Sequence, residues 1–178
     1  LFISLTGTAA TTSDETIDFT AQGYSNQQAV TSVSGTDCTV AFDKGTNSNA
    51  PTYYSSGSAI RIYGGNTMTV ASTTKTIVGI ELTFGSSDGS NAITTDVESY
   101  SNGTWTGSAS SVTFTVGGTS GKRRIQSVKV TYAGGTTPVT KQDVTMAFSP
   151  TSATATVGED FTEPTLTTTP SGLTVTYS

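Results

Sequence analysis

Histidine is absent from this chain of 178 residues, and cysteine and tryptophan occur once each. Without histidine there is no Ser-His or Cys-His pair for nucleophilic catalysis. The single cysteine, Cys38, cannot form an internal disulfide and has no partners for a zinc site. Basic side chains number 8 against 13 acidic ones, so no basic surface could neutralise several phosphates. The composition therefore argues against nucleic-acid binding and against nucleophilic catalysis.

Long apolar runs are also missing, and none approaches the roughly 20 residues that a membrane-spanning helix needs. Only 33% of the residues are hydrophobic and 12% are charged, while Thr, Ser and Gly together fill roughly half the chain. Such a composition leaves little material for amphipathic helices, which disfavours helical bundles and doubly wound α/β folds. Because the net charge is only −5 and apolar residues recur regularly, we expect the chain to fold rather than stay disordered.

Apolar and polar residues alternate with a period of two along most of the chain, which is typical of half-buried strands. Clusters of Gly, Ser, Asn and Asp separate these segments and predict turns. We predict about eight strands before residue 134, and hence an all-β fold of the sandwich or jelly-roll type. The inward-facing residues of the clearest strands are Ile17, Phe19, Cys38, Val40, Phe42, Ile60, Ile62, Met68, Val70, Val78, Ile80, Leu82, Phe84, Val112, Phe114, Val116, Val128, Val130 and Tyr132.

Four segments follow from these patterns. Residues 1–12 run from an apolar stretch into small residues and are interpreted as the remnant of an export signal, with the mature chain beginning near Thr11. Residues 13–133 form the predicted jelly roll, 134–142 a Gly/Thr/Pro linker, and 143–178 a second unit. Export without disulfides favours a bacterial secreted or cell-surface protein.

The second unit is predicted to be an incomplete domain. Its alternation begins at Val144, Met146 and Phe148, resumes in a second strand at Ala153, Ala155 and Val157, and still continues at Leu173, Val175 and Tyr177. About 36 residues, however, cannot enclose a sandwich core. Either the natural protein continues past Ser178, or another chain adds strands to the open edge and could drive polymerisation.

Two stretches carry a family resemblance. The first stretch resembles the galactose-binding-like jelly-roll modules in surface and secreted proteins of gut Bacteroidetes, in the segments Thr16–Tyr24, Ser48–Tyr54, Ala59–Gly65, Ile80–Gly85, Gly103–Gly107 and Arg124–Tyr132. The segment from Val144-Thr-Met-Ala-Phe-Ser-Pro150 to Leu173-Thr-Val-Thr-Tyr177 is similar to the first half of bacterial immunoglobulin-like domains. The resemblance implies a non-catalytic module within a longer protein that handles glycans or adheres to surfaces.

Carbohydrate sites need aromatic faces for sugar rings and polar groups for their hydroxyls. The candidate ligand-binding residues are Tyr53, Tyr54, Arg61, Tyr63 and Trp105. Arg61 and Tyr63 alternate with Ile60 and Ile62 and are predicted on the opposite face of their strand, whereas Tyr53, Tyr54 and Trp105 lie in or beside loops rich in Gly, Ser and Asn. Each also has a structural interpretation. Trp105 could seal one end of the core, and Arg61 could pair with Glu81 or Asp96 on a neighbouring strand. The run Lys122-Arg123-Arg124 is interpreted as a solvated cluster that protects a sheet edge.

No cofactor is predicted. The resemblance implies that a structural calcium ion is conceivable, and two oxygen-rich groups could supply ligands: Asp14, Glu15 and Asp18, and Asp88 with Asn91. Their spacing matches no defined loop, so we assign no ligands.

Catalysis is not expected from this segment. Cys38 lies on an apolar strand face and is predicted to be a buried, inert thiol. Asp96 and Glu98 would share one strand face, but nothing near them would separate their pKa values.

The sequence thus predicts an exported, non-catalytic binding module whose ligand is a glycan or another cell-surface molecule, attached to further domains of the same polypeptide. The alternative is a structural spacer or fibre element without a ligand site.

Overall fold

The computed structural model describes residues 8–138, 145–149, 154, 156–160 and 165–169. Residues 10–135 form one compact unit, and a second unit contains the last two strands. The strands, in chain order, are β1 (Thr8–Asp18), β2 (Gln28–Ala29), β3 (Ser32–Ser34), β4 (Thr39–Asp43), β5 (Thr52–Tyr54), β6 (Ala59–Tyr63), β7 (Thr67–Ala71), β8 (Ile77–Phe84), β9 (Ile93–Thr95), β10 (Ser99–Ser101), β11 (Thr104–Ala109), β12 (Ser111–Val116), β13 (Lys122–Pro138), β14 (Thr145–Ser149) and β15 (Thr165–Thr169).

The first unit is a sandwich of two antiparallel sheets, so the all-β prediction is confirmed. Sheet I has eight strands in the order β10-β11-β8-β13-β6-β5-β2, with β1 also paired to β13. Sheet II has five strands in the order β3-β4-β7-β12-β9. Within the part of the chain that the structure describes, helix is confined to one 3₁₀ turn at Phe19–Ala21, and no helix is long and apolar enough to cross a membrane.

The core lies between the two sheets and is built by the predicted alternation. Strand β4 alternates exposed and buried residues, with Val40 and Phe42 inward, and β12 does the same with Val112, Phe114 and Val116. Threonine occupies half of the outward positions of these two strands, at Thr39, Thr113 and Thr115, where its branched Cβ suits the pleat. The sequence pattern therefore specifies the two faces of the sandwich correctly.

The alternation fails at the start of β8. The sequence pattern predicts Val78 inward, but Ile77 is fully buried and Val78 only half-buried. The register of β8 shifts against β11 between Thr106 and Ala109, and against β13 between Thr131 and Tyr132. Such β-bulges reverse the inside–outside phase of a strand, and a single sequence does not reveal them.

The strands outnumber the predicted eight because several are short and poor in apolar residues. Strands β2, β3, β9 and β10 contain only two or three residues each, mostly Ser, Thr, Gln or Ala. They are held by backbone pairing with longer neighbours, for example β3 with β4. Period-two alternation cannot be recognised over so few residues.

The second unit contains an antiparallel pair, β14 and β15, in which Phe148 lies opposite Leu166. The strand predicted from Met146 and Phe148 is thus present. Val157, predicted to continue a second strand, is instead fully exposed in a turn beside Gly158, whose φ is +97°. The predicted strand at Leu173–Tyr177, most of the export segment and residues 139–142 of the linker lie outside the described residues. Residues 134–138 of that linker continue β13.

Candidate functional site

The five predicted ligand residues divide into two groups because β5, β6 and β11 are strands and not loops. Tyr53 and Trp105 point into the sandwich, opposite the buried Ile60 and Ile80 in the ladder. The other three, Tyr54, Arg61 and Tyr63, lie on the outer face of sheet I.

Tyr53 and Trp105 are core residues. Trp105 has no exposed surface, and its indole N–H donates a 2.8 Å hydrogen bond to the carbonyl of Val97. Tyr53 is 7% exposed and its ring packs against Tyr24 with centroids 5.5 Å apart. Neither ring presents a face to a ligand, so we leave both out of the candidate site. Trp105 therefore has a structural role in the core, which is the predicted alternative to ligand binding.

Tyr54, Arg61 and Tyr63 form one cluster, which we name the tyrosine–arginine platform. The guanidinium carbon of Arg61 lies 3.7 Å from the centre of the Tyr54 ring, and the Tyr54 and Tyr63 hydroxyls are 3.1 Å apart. All three side chains are half-buried. Stacking of a cation on an aromatic face is favourable by about 0.5–2 kcal/mol, which holds the guanidinium in a defined plane.

The Tyr63 phenol stays protonated. Burial raises its pKa, the hydrogen bond with Tyr54 raises it further, and the charge of Arg61 and its hydrogen bond to Tyr63 oppose the shift without reversing it. The platform therefore combines a fixed cation, aromatic surface and neutral hydroxyls that can donate and accept hydrogen bonds.

A tight turn positions Tyr54 and Arg61 by joining β5 to β6. The Ser58 N–H donates to the Ser55 carbonyl at 3.1 Å, and Gly57 and Ser58 adopt φ values of +95° and +45°. Ala59 lies directly opposite Tyr54 in the ladder. Its small side chain leaves room for Arg61 to lie over the Tyr54 ring.

A buried asparagine holds the other end of β6 beside Tyr63. Asn66 has no exposed surface, and its side-chain oxygen accepts the Tyr63 N–H at 2.8 Å. Its side-chain nitrogen donates to the carbonyls of Lys44 and Asn49, at 2.8 and 3.0 Å. Because every polar atom of this amide is used, the strand end that carries Tyr63 is fixed in place.

The predicted alternative partners of Arg61 are not its partners here. The ion pairs found among the described residues do not involve Arg61. Glu81 lies opposite Lys129 in the ladder, and Asp96 accepts the Thr113 N–H at 2.8 Å.

The basic run Lys122-Arg123-Arg124 does not protect a sheet edge, which corrects the sequence interpretation. It opens β13, and β13 lies between β6 and β8 in the middle of sheet I. Arg123 pairs with Asp88 at 2.7 Å, and Arg124 is only 7% exposed. The ladder puts Arg124 opposite Arg61 and Lys122 opposite Tyr63. The run therefore adjoins the platform. The sequence does not predict this proximity, because strand pairing is non-local.

Two shallow clefts open elsewhere, on either side of the turn that follows β3. The larger, of about 470 Å³, is lined by Glu15, Asp18, Gln22 and small neighbours, and the smaller, of about 280 Å³, by Asp37, Cys38 and several hydroxyl-bearing residues. Neither contains an aromatic side chain. A sugar ring would find only polar contacts there, so the clefts are weaker candidates than the platform.

The oxygen-rich group at the start of the chain is occupied by internal hydrogen bonds. Glu15 accepts the N–H groups of Thr36 and Asp37 and the Tyr132 hydroxyl, and Asp18 caps the 3₁₀ turn by accepting the Thr20 N–H. Burial raises the pKa of the Glu15 carboxyl, but these hydrogen bonds lower it by more, and the pKa ends below its ordinary value. These carboxylates act as structural acceptors.

The second oxygen-rich group is occupied in the same way. Asp88 accepts hydrogen bonds from the Arg123 side chain and the Arg124 backbone N–H, and the Asn91 side chain donates to the carbonyls of Gly117 and Ser120. Within the described ranges, no group of three or more His, Cys, Asp or Glu could hold a metal ion.

The residues weighed for catalysis have other roles. Cys38 is buried, and burial raises the pKa of its thiol, which agrees with the predicted inert cysteine. Asp96 and Glu98 do not share a strand face as predicted, since both lie in the bend between β9 and β10 and Glu98 has a φ of +57°. Turn propensity of the surrounding polar residues prevailed over the strand pattern there.

Comparison with known proteins adds no assignment: a scan against protein-family models and searches of curated proteins and of solved structures each found no match. The fold is compatible with a jelly-roll or immunoglobulin-like module.

Proposed function

We propose that the sandwich is a non-catalytic binding module for carbohydrate and that the tyrosine–arginine platform is its binding surface. The observation that carries this proposal is the outward cluster of Tyr54, Arg61 and Tyr63, with the guanidinium 3.7 Å above one ring and the two hydroxyls 3.1 Å apart. The inner face of the same sheet already contributes the rings of Tyr53 and Trp105 to the core. The rings of Tyr54 and Tyr63 on the outer face are therefore not needed for core packing.

The chemistry of the platform suits a sugar. An aromatic ring offers a flat apolar surface to the C–H face of a pyranose, while the phenol hydroxyls and the guanidinium can hydrogen-bond its substituents. Because β5 and β6 are rigid strands tied at both ends, little conformational entropy would be lost on binding. A shallow surface of this size supports weak, reversible binding, which gains strength when the module is attached to other domains.

The family resemblance supports the same proposal, because galactose-binding-like modules occur in exported bacterial proteins that act on or adhere to glycans. In this proposal the chain belongs to a secreted or cell-surface protein, where the module keeps its attached domains near a glycan.

The test is a glycan array followed by titration calorimetry with the best binder. We expect Tyr54→Ala to weaken binding by about tenfold or more, since about 1.4 kcal/mol corresponds to tenfold and ring contacts are of that order. Tyr54→Phe keeps the ring and should retain most of the affinity. Equal binding by Tyr54→Ala and the wild type would contradict the proposed surface.

A structural spacer is the second candidate, and the burial of Tyr53 and Trp105 favours it. A spacer would bind no glycan on the array and would have no use for the platform, so the same array separates the two functions.

A further inference from the structure

Three basic residues are neighbours in sheet I: Arg61, which belongs to the platform, and Lys122 and Arg124 of β13, which are distant from Arg61 in the sequence. Strand β13 pairs with β6 so that Arg124 lies opposite Arg61, and Lys122 lies opposite Tyr63. Directly paired residues of an antiparallel ladder have Cβ atoms about 4.5–5.5 Å apart. Sheet I thus places three cations on one small area of a protein whose net charge is −5.

Carboxylates do not neutralise these three cations. The ion pairs of the described residues join Lys75 to Asp37, Arg123 to Asp88 and Lys129 to Asp14, and they leave Arg61, Lys122 and Arg124 out. In sheet I, Arg123 and Lys129 have the paired arrangement that these three cations lack. Among the described residues, Arg61, Lys122 and Arg124 are three of the four basic side chains without an ion pair, and Lys44 is the fourth.

Arg124 adds a buried positive charge next to Arg61. It is 7% exposed, one terminal nitrogen donates to the carbonyls of Ser56 and Ser86 at 2.7 and 3.2 Å, and its Nε has no hydrogen-bond partner. The partners of its guanidinium are neutral carbonyls, and the Asp88 carboxylate, which accepts the Arg124 backbone N–H, forms its ion pair with Arg123. The guanidinium charge therefore acts on its surroundings through a medium of low dielectric constant. A buried cation without a counter-ion is costly unless an anion approaches it.

Arg61 is held in an orientation that suits binding of such an anion. Its guanidinium is stacked on Tyr54, and its Nε is buried without a hydrogen-bond partner. Stacking occupies one face of the guanidinium, its Nε is buried, and a side-chain hydrogen bond joins Arg61 to Tyr63, so the remaining terminal N–H groups are the in-plane donors that a ligand can use. A planar carboxylate matches this fork of donors with two parallel hydrogen bonds.

We infer that the ligand of this surface is an acidic glycan whose uronic-acid carboxylate binds Arg61, with Lys122 and Arg124 adding attraction. This inference rests on the proposed function and narrows its ligand class. In this complex the rings of Tyr54 and Tyr63 contact the sugar ring, and the positive charges of Arg61, Lys122 and Arg124 attract its carboxylate.

The experiment compares matched ligands on the wild-type protein. Oligomers of galacturonic, glucuronic and guluronic acid are titrated beside the same oligomers with methyl-esterified carboxyl groups, and beside neutral and sulfated galactans. We expect at least one uronic-acid oligomer to bind, with affinity that falls about tenfold or more on esterification and decreases with added salt. Because the protein is unchanged in this comparison, the result does not depend on whether a variant folds.

Variants then locate the site. Arg61→Gln should reduce uronate affinity about tenfold, while Lys129→Ala, a charge-matched change on the same outer face at a paired cation, should leave it unchanged. Circular dichroism and thermal melting confirm that both variants are folded. Equal losses in the two variants would indicate a diffuse charge effect and would overturn the assignment.

The remaining outcomes separate this inference from the proposed function. Equal binding of neutral and acidic oligomers that depends on Tyr54 overturns the acidic ligand and leaves the carbohydrate surface standing. Binding of the sulfated galactan alone overturns the carboxylate. Absence of binding to every oligomer overturns both.

Discussion

Two polar clusters of the sandwich differ in how completely their charges are paired. At the corner formed by Glu15, Thr36, Asp37 and Tyr132, which we name the Glu15 corner, one carboxylate accepts three hydrogen bonds and Asp37 is paired with Lys75 at 2.7 Å. On the platform, Arg61 stacks on a neutral ring and no ion pair of the described residues includes it.

The difference teaches how to separate structural from binding residues. A cluster whose donors and acceptors are all used stabilises the fold and has nothing left for a ligand. A cluster that keeps unused donors is costly for the fold, so a ligand that uses them is the natural explanation. The Glu15 corner lines both clefts, yet its carboxylates are used by partners within the protein, so it belongs to the structural kind.

The largest expected effect is a loss of stability when the Glu15 corner is opened. Glu15→Ala removes the acceptor of the Tyr132 hydroxyl, a residue with no exposed surface, and of two backbone N–H groups. The buried Tyr132 hydroxyl, left without its acceptor, costs about 1–3 kcal/mol, and the exposed Thr36 and half-buried Asp37 N–H groups cost less because water can reach them, so we expect the unfolding free energy to fall by about 2–4 kcal/mol in urea denaturation. Uronate affinity should not change. A stability change below 1 kcal/mol would contradict the structural role of this corner.

A smaller effect is expected from acid, which protonates Glu15 but leaves the side chain in place. The pKa of Glu15 is lower in the folded protein than its ordinary value, so its contribution is present above the unfolded pKa and is lost as the pH falls through the folded pKa. We therefore expect stability to decline below about pH 5, and less steeply in Glu15→Gln.

Asp14 is the control for this titration. Its pKa is also lowered, by hydrogen bonds from Lys129 and Thr131, but the group is exposed. Asp14→Asn should therefore change the acid profile less than Glu15→Gln. An identical acid profile for Glu15→Gln and the wild type would mean that other groups set the pH dependence.

Replacement of the buried cation should change stability by about 1 kcal/mol or less in either direction. Arg124→Met removes two hydrogen bonds to carbonyls but also a buried charge without a counter-ion, and apolar replacements of buried charges are often neutral or stabilising. Uronate binding should weaken at the same time. A loss of 3 kcal/mol or more would show that Arg124, like Glu15, is a fully structural residue.

The smallest expected effect concerns the two phenol hydroxyls. Tyr63→Phe removes the contact between the Tyr54 and Tyr63 oxygens, which are half-buried and can turn to water, so stability should fall by about 0.5–1 kcal/mol. Thermal melting measures this change. A much larger loss would place the platform with the structural clusters and weaken the comparison.

Part of the candidate site could be predicted from the sequence. Arg61 and Tyr63 were assigned to the outer face because they alternate with Ile60 and Ile62, and the structure has that alternation. Tyr53 and Trp105 were expected beside loops but lie in strands, where the pleat turns them inward. The stacking of Arg61 on Tyr54 depends on the tight turn at Gly57 and Ser58, which residue patterns indicate only as a turn.

The sequence by itself determined the all-β class, the inner and outer faces of most strands and the burial of Cys38, because side-chain direction along a strand is a local property of the pleat. Only the tertiary structure decided that β13 runs beside β6, which brings Arg124 opposite Arg61 across 62 intervening residues. It also decided that the carboxylates of Glu15 and Asp88 are internal acceptors. The physical reason is that strand pairing depends on how many distant segments share one core, and no short stretch of sequence contains that information.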